Sequence, residues 1–269
     1  MSVRTFRPRQ SLGQNFLVDE NIARKIVAAL TPNPKDVVVE IGPGFGVLTK
    51  YILPRVARLV AVEIDRNLAD VLRQKHSTSA NLELVTGDFL ELDLRAFVPE
   101  KGRLRVLGNI PYHITSPVIF KVLALRQVVH DMILMVQREV AERIVAGPGC
   151  KAYGILSVYS QLYSQPAILF HVSRNVFRPR PDVESSVVRW DFSQRVPAEI
   201  EDEKLLDRVI HAAFQQRRKM LRKSLKGLLE CLKPGAAVDF DLEKRPEELT
   251  PEEFVRLSNW MNREWKKPT

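Results

Sequence analysis

The run Val37-Val38-Val39-Glu40-Ile41, followed at once by Gly42-Pro43-Gly44-Phe45-Gly46, constrains the fold of this chain more than any other stretch. A short β-branched run with no polar alternate face is a strand buried on both sides, as in a parallel sheet covered by helices. Four more such runs follow: Leu59-Val60-Ala61-Val62-Glu63-Ile64, Leu82-Glu83-Leu84-Val85, Leu104-Arg105-Val106-Leu107 and Met132-Ile133-Leu134-Met135-Val136. Helix-compatible segments, Val47–Pro54 and Leu68–Lys75, separate the first three strands, and Pro117–Leu125 precedes the fifth. Strand, helix, strand at this spacing predicts right-handed βαβ units, hence an α/β fold with a mostly parallel sheet and helices on both faces. Ala167–Val172 and Ser185–Phe192 read as two more strands, an antiparallel pair at the sheet's edge, separated by the proline-studded Phe177-Arg178-Pro179-Arg180-Pro181.

The texture changes near residue 195. From Leu205 to Leu232 the period is helical, with one polar, basic face, and Thr250-Pro251-Glu252-Glu253 carries a capping box that opens a helix running through Trp260. The expected organisation is a sheet domain over 1–195 and a small all-helical domain over 196–269. Arg4, Arg7 and Arg9 are not followed by an apolar run, so no secretory signal is read. No apolar stretch approaches the roughly 20 residues that span a bilayer. Two cysteines, Cys150 and Cys231, and five scattered histidines give neither a disulfide framework nor metal-ligand spacing. A soluble cytoplasmic protein without a metal is the expectation. Forty-one Lys and Arg against 32 Asp and Glu, a net +9, favour a polyanionic partner, either nucleic acid or an anionic membrane surface.

The glycine turn specifies a ligand. A dinucleotide fingerprint, Gly-x-Gly-x-x-Gly, would need its third glycine at Val47, so the pyrophosphate reading is broken. The observed Glu-x-Gly-x-Gly-x-Gly suits a nucleoside sulfonium cofactor, with Gly42 and Gly44 allowing close backbone approach. Glu63, ending the second strand, is placed to take both ribose hydroxyls, and Asp88, after Gly87, to accept from an adenine amine. Either acid alone is more often a solvated loop carboxylate; together at successive strand ends they form a constellation. Asn109-Ile110-Pro111-Tyr112 then joins a carboxamide acceptor, a rigid turn and an aromatic face, a combination that grips a flat base bearing an amine. Taken singly, the tetrapeptide would more often be a strand-ending turn.

These motifs, in order, resemble the KsgA-type ribosomal RNA small-subunit adenine dimethyltransferases. The resemblance runs through Gln10–Leu17, Glu40–Gly46, Asn109–Tyr112, Tyr153–Ser157, Phe177–Ser185 (Phe-x-Pro-x-Pro-x-Val-x-Ser) and Phe214–Leu221. It implies a Rossmann-like class I methyltransferase sheet, S-adenosyl-L-methionine as cofactor, and two adjacent adenines near the 3′ end of 16S rRNA in the pre-30S particle as substrate, met by a monomer without membrane contact. By the same resemblance the cofactor contacts fall on Asn15, Leu17, Gly42, Glu63, Asp88 and Asn109, and the catalytic motif on Asn109, Pro111 and Tyr112. Ile110 stands where the family has Leu, a change that conserves volume. Tyr112 and Phe177 are the expected clamps on a splayed-out adenine, with core packing the bland reading of Phe177. Arg217, Arg218, Lys219, Arg222 and Lys223, with Lys226, are the expected RNA contacts on a helix face, against the common reading of such a run as solvated surface. Three alternatives stay open: an Erm-type large-subunit rRNA methyltransferase conferring macrolide resistance, a nucleotide-dependent oxidoreductase, which Val47 argues against, and a non-catalytic RNA-binding assembly factor.

Overall fold

The computed structural model describes residues 14–193, 199–235 and 239–266. In chain order the strands are β1 (Phe16–Leu17), β2 (Val37–Ile41), β3 (Arg58–Glu63), β4 (Leu82–Thr86), β5 (Leu104–Asn109), β6 (Val129–Gln137), β7 (Gln165–Val172), β8 (Phe177–Arg178) and β9 (Ser185–Asp191). Seven of them form one sheet in the order β4-β3-β2-β5-β6-β9-β7. The pairs β4–β3, β3–β2, β2–β5 and β5–β6 are parallel, and β9 runs antiparallel to both β6 and β7. The expected parallel sheet and antiparallel edge are both present. All five residues of β2 are buried, because helices cover both faces of a central parallel strand. β1 and β8 form a separate antiparallel ladder that pairs Leu17 with Phe177.

The helices of this unit pack apolar stripes onto the sheet. In α1 (Glu20–Leu30), a helix not among the expected elements, Ala23, Ile26, Val27 and Leu30 recur at helical spacing and are buried. Its N-cap, Asp19, accepts from the N–H groups of Asn21 and Ile22 and so satisfies two orphan donors. The segment read as a helix over 47–54 is shorter: α2 (Thr49–Ile52) passes into a 3₁₀ turn at Leu53–Arg55, where Pro54 cannot continue the α-helical ladder. The other two expected helices are α3 (Arg66–Lys75) and α4 (Thr115–Ala124). At the start of β5 and β6 the Arg105 guanidinium grips Asp131 in bidentate fashion (2.7 and 2.6 Å) and reaches Asp36 at 2.9 Å. These charges lie at the strand ends opposite the glycine turn.

The chain divides into two compact units. The boundary expected near residue 195 falls outside the described residues, as do Gln10–Gly13 of the N-terminal signature. One departure is clear: Glu142–Tyr163 belongs to the second unit, not the first. The cause is burial of the Tyr153–Ser157 motif at the start of α6 (Ile155–Tyr163), the helix that follows α5 (Arg138–Val145). Tyr153 is fully buried, its ring 6.2 Å from that of Phe214, and its hydroxyl donates to the Leu249 carbonyl at 2.8 Å. Ser157 donates to the Arg143 carbonyl. That motif is a packing joint.

The expected helix over 205–232 is also broken, into α7 (Glu203–Gln215), α8 (Leu221–Ser224) and α9 (Lys226–Leu229). The N–H groups of Leu221 and Arg222 donate to the Lys244 and Leu242 carbonyls, so they cannot continue the α7 ladder. Leu221 and Leu225 pack inward as expected; Leu228 and Leu229 are only half-buried. α10 (Pro251–Arg263) carries the predicted capping box, with Thr250 Oγ1 accepting from Glu253 N–H and the Glu253 carboxylate accepting from Thr250 N–H. No helix among the described residues is long and apolar enough to cross a membrane.

Candidate active site

Strand order reverses direction between β2 and β5, and at the carboxyl ends of β2, β3, β4 and β5 lies a cavity of about 220 Å³. Such a switch point is where open α/β sheets bind ligands. Each expected cofactor residue stands on its wall: Gly42 and Gly44 after β2, Glu63 at the end of β3, Asp88 after β4, Asn109 at the end of β5, and Asn15 and Leu17 on the N-terminal segment. The turn after β2 needs glycine for two reasons. Gly44 and Gly46 have φ of +58° and +75°, where a side chain is strained. A Cβ on Gly46 would also sit 2.6 Å from Leu72 Cδ2, and one on Gly44 3.1 Å from the Phe16 ring.

The electrostatics of the wall are one-sided. Glu40, Glu63 and Asp88 line it, and among the described residues no lysine or arginine does. Glu63 is buried; its Oε2 accepts from Gly44 N–H at 2.9 Å and its Oε1 from Asp65 N–H at 3.0 Å. Burial raises its pKa, and those backbone donors oppose the rise. Each oxygen retains a lone pair for a further donor. Glu40, the acid that opens the glycine motif, also stands on the wall, a place that residue spacing alone does not assign to it. It is 1% exposed; Thr49 donates to its Oε2 at 2.7 Å, while its Oε1 has no partner among the described residues. Burial pushes its pKa up to about 7. A charged residue inside an all-buried strand just before the glycines was the available signal for it. Asp88 Oδ1 accepts from Leu90 N–H at 2.8 Å, an Asx turn that fixes the carboxylate at the rim.

Beyond this wall, Asn109 Nδ2 donates to the Asn15 carbonyl at 3.3 Å, which leaves the side-chain oxygen as its acceptor. Ile110, Pro111, His113 and Ile114 continue the lining. Tyr112 is half-buried beside them, its hydroxyl 2.7 Å from Ser185 Oγ. Burial raises the Tyr112 pKa, so the phenol stays protonated.

The family profile of ribosomal RNA adenine dimethylase matches residues 5–263. The chain belongs to that family. "Ribosomal RNA small subunit methyltransferase A" of Salinibacter ruber is 47% identical over 260 residues, covering 96% of this chain and 86% of that protein. The protein of the same name from Moorella thermoacetica is 42% identical over 93% of this chain and 91% of its own length. Among solved structures, a dimethyladenosine transferase from Plasmodium falciparum is 26% identical with a TM-score of 0.79, covering 93% and 98% of the two chains. The 23S rRNA methyltransferase ErmE is 25% identical with a TM-score of 0.67, covering 92% and 100%. As a ribosomal RNA adenine dimethylase, this chain is an S-adenosylmethionine-dependent methyltransferase acting on rRNA.

Two expectations about this dimethylase's substrate contacts are corrected. Phe177 does not line the cavity: it is fully buried in the cluster that holds Leu17, Val172 and Val187. β8 pairing with β1 turns the ring inward, leaving no exposed face for a base. The basic run does not lie on one helix face either. Arg217, Arg218 and Lys219 occupy the turn after α7, and Arg222 and Lys223 sit on the four-residue α8. Arg217 is bound to Glu247 at 2.8 Å and to the Cys150 carbonyl at 3.2 Å, and Arg222 pairs with Glu243 at 3.2 Å. Arg218, Lys219 and Lys223 are exposed and are not held in this way among the described residues.

Proposed function

We propose that this chain methylates the exocyclic amines of two adjacent adenines near the 3′ end of 16S rRNA, giving N6,N6-dimethyladenosine. In this reading it works in the cytoplasm as a monomer on the pre-30S particle, a step of ribosome biogenesis. The observation that carries the reading is the pocket wall, which has three carboxylates, a glycine cradle and no Lys or Arg among the described residues, and which ends at Asn109. A pyrophosphate would meet unscreened negative charge there. A nucleoside bearing sulfonium and ammonium charges meets complementary charge.

S-adenosyl-L-methionine supplies an already electrophilic methyl group, so no strong base is required of the protein. Glu63 takes the ribose hydroxyls, Asp88 the adenine edge, and Gly42 and Gly44 admit the ligand to the backbone. Asn15 and Leu17 close the opposite side. In the first transfer the side-chain oxygen of Asn109 and the Ile110 carbonyl accept the two hydrogens of the target amine. That pairing draws the nitrogen towards a pyramidal shape and aims its lone pair into the pocket. The methylated nitrogen then gives up one proton to solvent as the thioether leaves, and in the second transfer one of the two acceptors holds the single remaining N–H. Pro111 donates no hydrogen bond and fixes the turn, and Tyr112 gives the splayed base its stacking face. Holding the amine in line for attack is the main catalytic contribution of these residues. Arg218, Lys219 and Lys223 contact RNA phosphates from the helical unit; Arg217 and Arg222 share that role only if their carboxylate pairs open.

The small-subunit name of relatives at 42–47% identity supports this substrate over the large-subunit one, which is that of ErmE at 25%. The test is to offer undermethylated small and large ribosomal subunits separately with methyl-labelled cofactor. Label in the small subunit alone is expected, and label confined to the large subunit would establish the Erm-type reading instead.

A further inference from the structure

The Phe-x-Pro-x-Pro-x-Val-x-Ser segment has lost the role expected of its phenylalanine, and its geometry points to another. We propose that Arg178 and Arg180 form a phosphate-binding clamp at the mouth of the active site, holding the RNA backbone that flanks the target adenine. The proposal rests on the reading of this protein as an rRNA adenine methyltransferase.

The tripeptide Arg178-Pro179-Arg180 is exposed throughout, while both of its neighbours, Phe177 and Pro181, are buried. The loop is therefore pinned at each end, and Pro179 fixes φ between the two arginines. β8 holds the loop against the pocket: Arg178 stands opposite Phe16 in the β1–β8 ladder, and Phe16 lines the cavity. Directly opposed residues of an antiparallel pair have Cα atoms about 4.5–5.5 Å apart, so Arg178 is one strand away from the pocket wall. Its Nη1 donates to the Phe177 and Asn175 carbonyls at 2.8 and 3.3 Å, which steadies the guanidinium and leaves its other N–H groups available.

Charge completes the argument. Neither Arg178 nor Arg180 has a carboxylate partner among the described residues. Glu184 is engaged by Arg174 through its N–H at 3.0 Å and its guanidinium at 3.9 Å. Asp182 is exposed and, among the described residues, forms no ion pair with either arginine. Arg217 and Arg222 of the helical unit, by contrast, are already matched to glutamates. An adenine delivered to Asn109 brings its own phosphates past the rim of the pocket. Two exposed guanidinium groups without carboxylate partners among the described residues suit those phosphates, and the fork of Arg178, already steadied by backbone carbonyls, loses less entropy on binding.

The test is the salt dependence of binding to undermethylated small ribosomal subunits, measured by fluorescence anisotropy of labelled protein across a potassium chloride series. The double variant Arg178→Ala/Arg180→Ala should flatten the log–log slope by roughly 0.7–0.9 for each phosphate it no longer neutralises. S-adenosylhomocysteine affinity and melting temperature should stay at wild-type values, and Arg178→Lys/Arg180→Lys should retain the slope. A double alanine variant with the wild-type slope overturns the clamp while wild-type transfer to the small subunit continues. If the wild-type protein itself transfers no methyl to small subunits, the functional reading falls first and the clamp with it.

Discussion

Phe177→Ala separates two accounts of one residue. The side chain is fully buried in a cluster with Leu17, Met135, Val172 and Val187, and Leu17 is its partner across the ladder. Truncating a phenylalanine so enclosed removes its transfer free energy and leaves a cavity, at a cost of about 3–5 kcal/mol. At about 2–4 °C per kcal/mol for a chain of this size, the melting temperature should drop by roughly 6–20 °C. Calorimetric melting, set beside methyl transfer per folded molecule below the transition, reads both quantities. The expected result is a large loss of stability, with transfer by the folded fraction reduced no more than severalfold through loosening of Leu17. A variant that melts like wild type yet transfers to RNA about a hundredfold more slowly would refute the packing argument. It would return Phe177 to the base, where stacking is worth about 1–3 kcal/mol.

Other expectations follow from the same wall. Glu63→Ala should weaken cofactor binding, since it removes an acceptor for two hydroxyls; unchanged affinity by titration calorimetry would take Glu63 out of the site. The raised pKa of Glu40 means that its stabilising contribution is complete below about pH 4.5 and lost as pH rises through about 7, a change of about 3 kcal/mol in the ligand-free protein. A cationic ligand prefers the carboxylate, so cofactor binding near pH 6.5 should release a proton in calorimetry run in two buffers of different ionisation heat. Glu40→Gln should abolish that release, and a wild type that releases none would deny the residue contact with the ligand's charge. Ser185→Ala and Tyr112→Phe should each slow transfer by up to about tenfold, the worth of one hydrogen bond. The double variant should be no slower than either single one, and additive losses would show that the hydroxyls act separately.

Much of this molecule was legible in the chain because its strongest signals are local. A β-branched run ending in glycine fixes a buried strand and a tight turn together, and the acids Glu63 and Asp88 fell at strand ends where parallel pairing brings them side by side. What the sequence hid depends on partners far along the chain. Phe177 resembles a clamp until β8 pairs with β1. Arg217 resembles an RNA contact until Glu247, 30 residues on, is set against it. The α7 periodicity runs on through Leu225, but backbone donors taken by residues 242 and 244 break the helix. Glu40 sat in plain view inside a motif, and its role depends on burial, which spacing does not report.

The claim at the centre of this account is that Asn109 orients the target amine against the pocket. The direct measurement is single-turnover methyl transfer by Asn109→Ala to undermethylated small subunits, with cofactor held at saturation. Loss of a pre-organised hydrogen-bonding group at the reacting centre predicts a rate lower by about 10²–10³-fold. Melting temperature should be unchanged, because the residue is only part-buried and its side-chain bond to Asn15 is long. A variant that folds, binds the cofactor and transfers methyl groups at close to the wild-type rate would contradict the account.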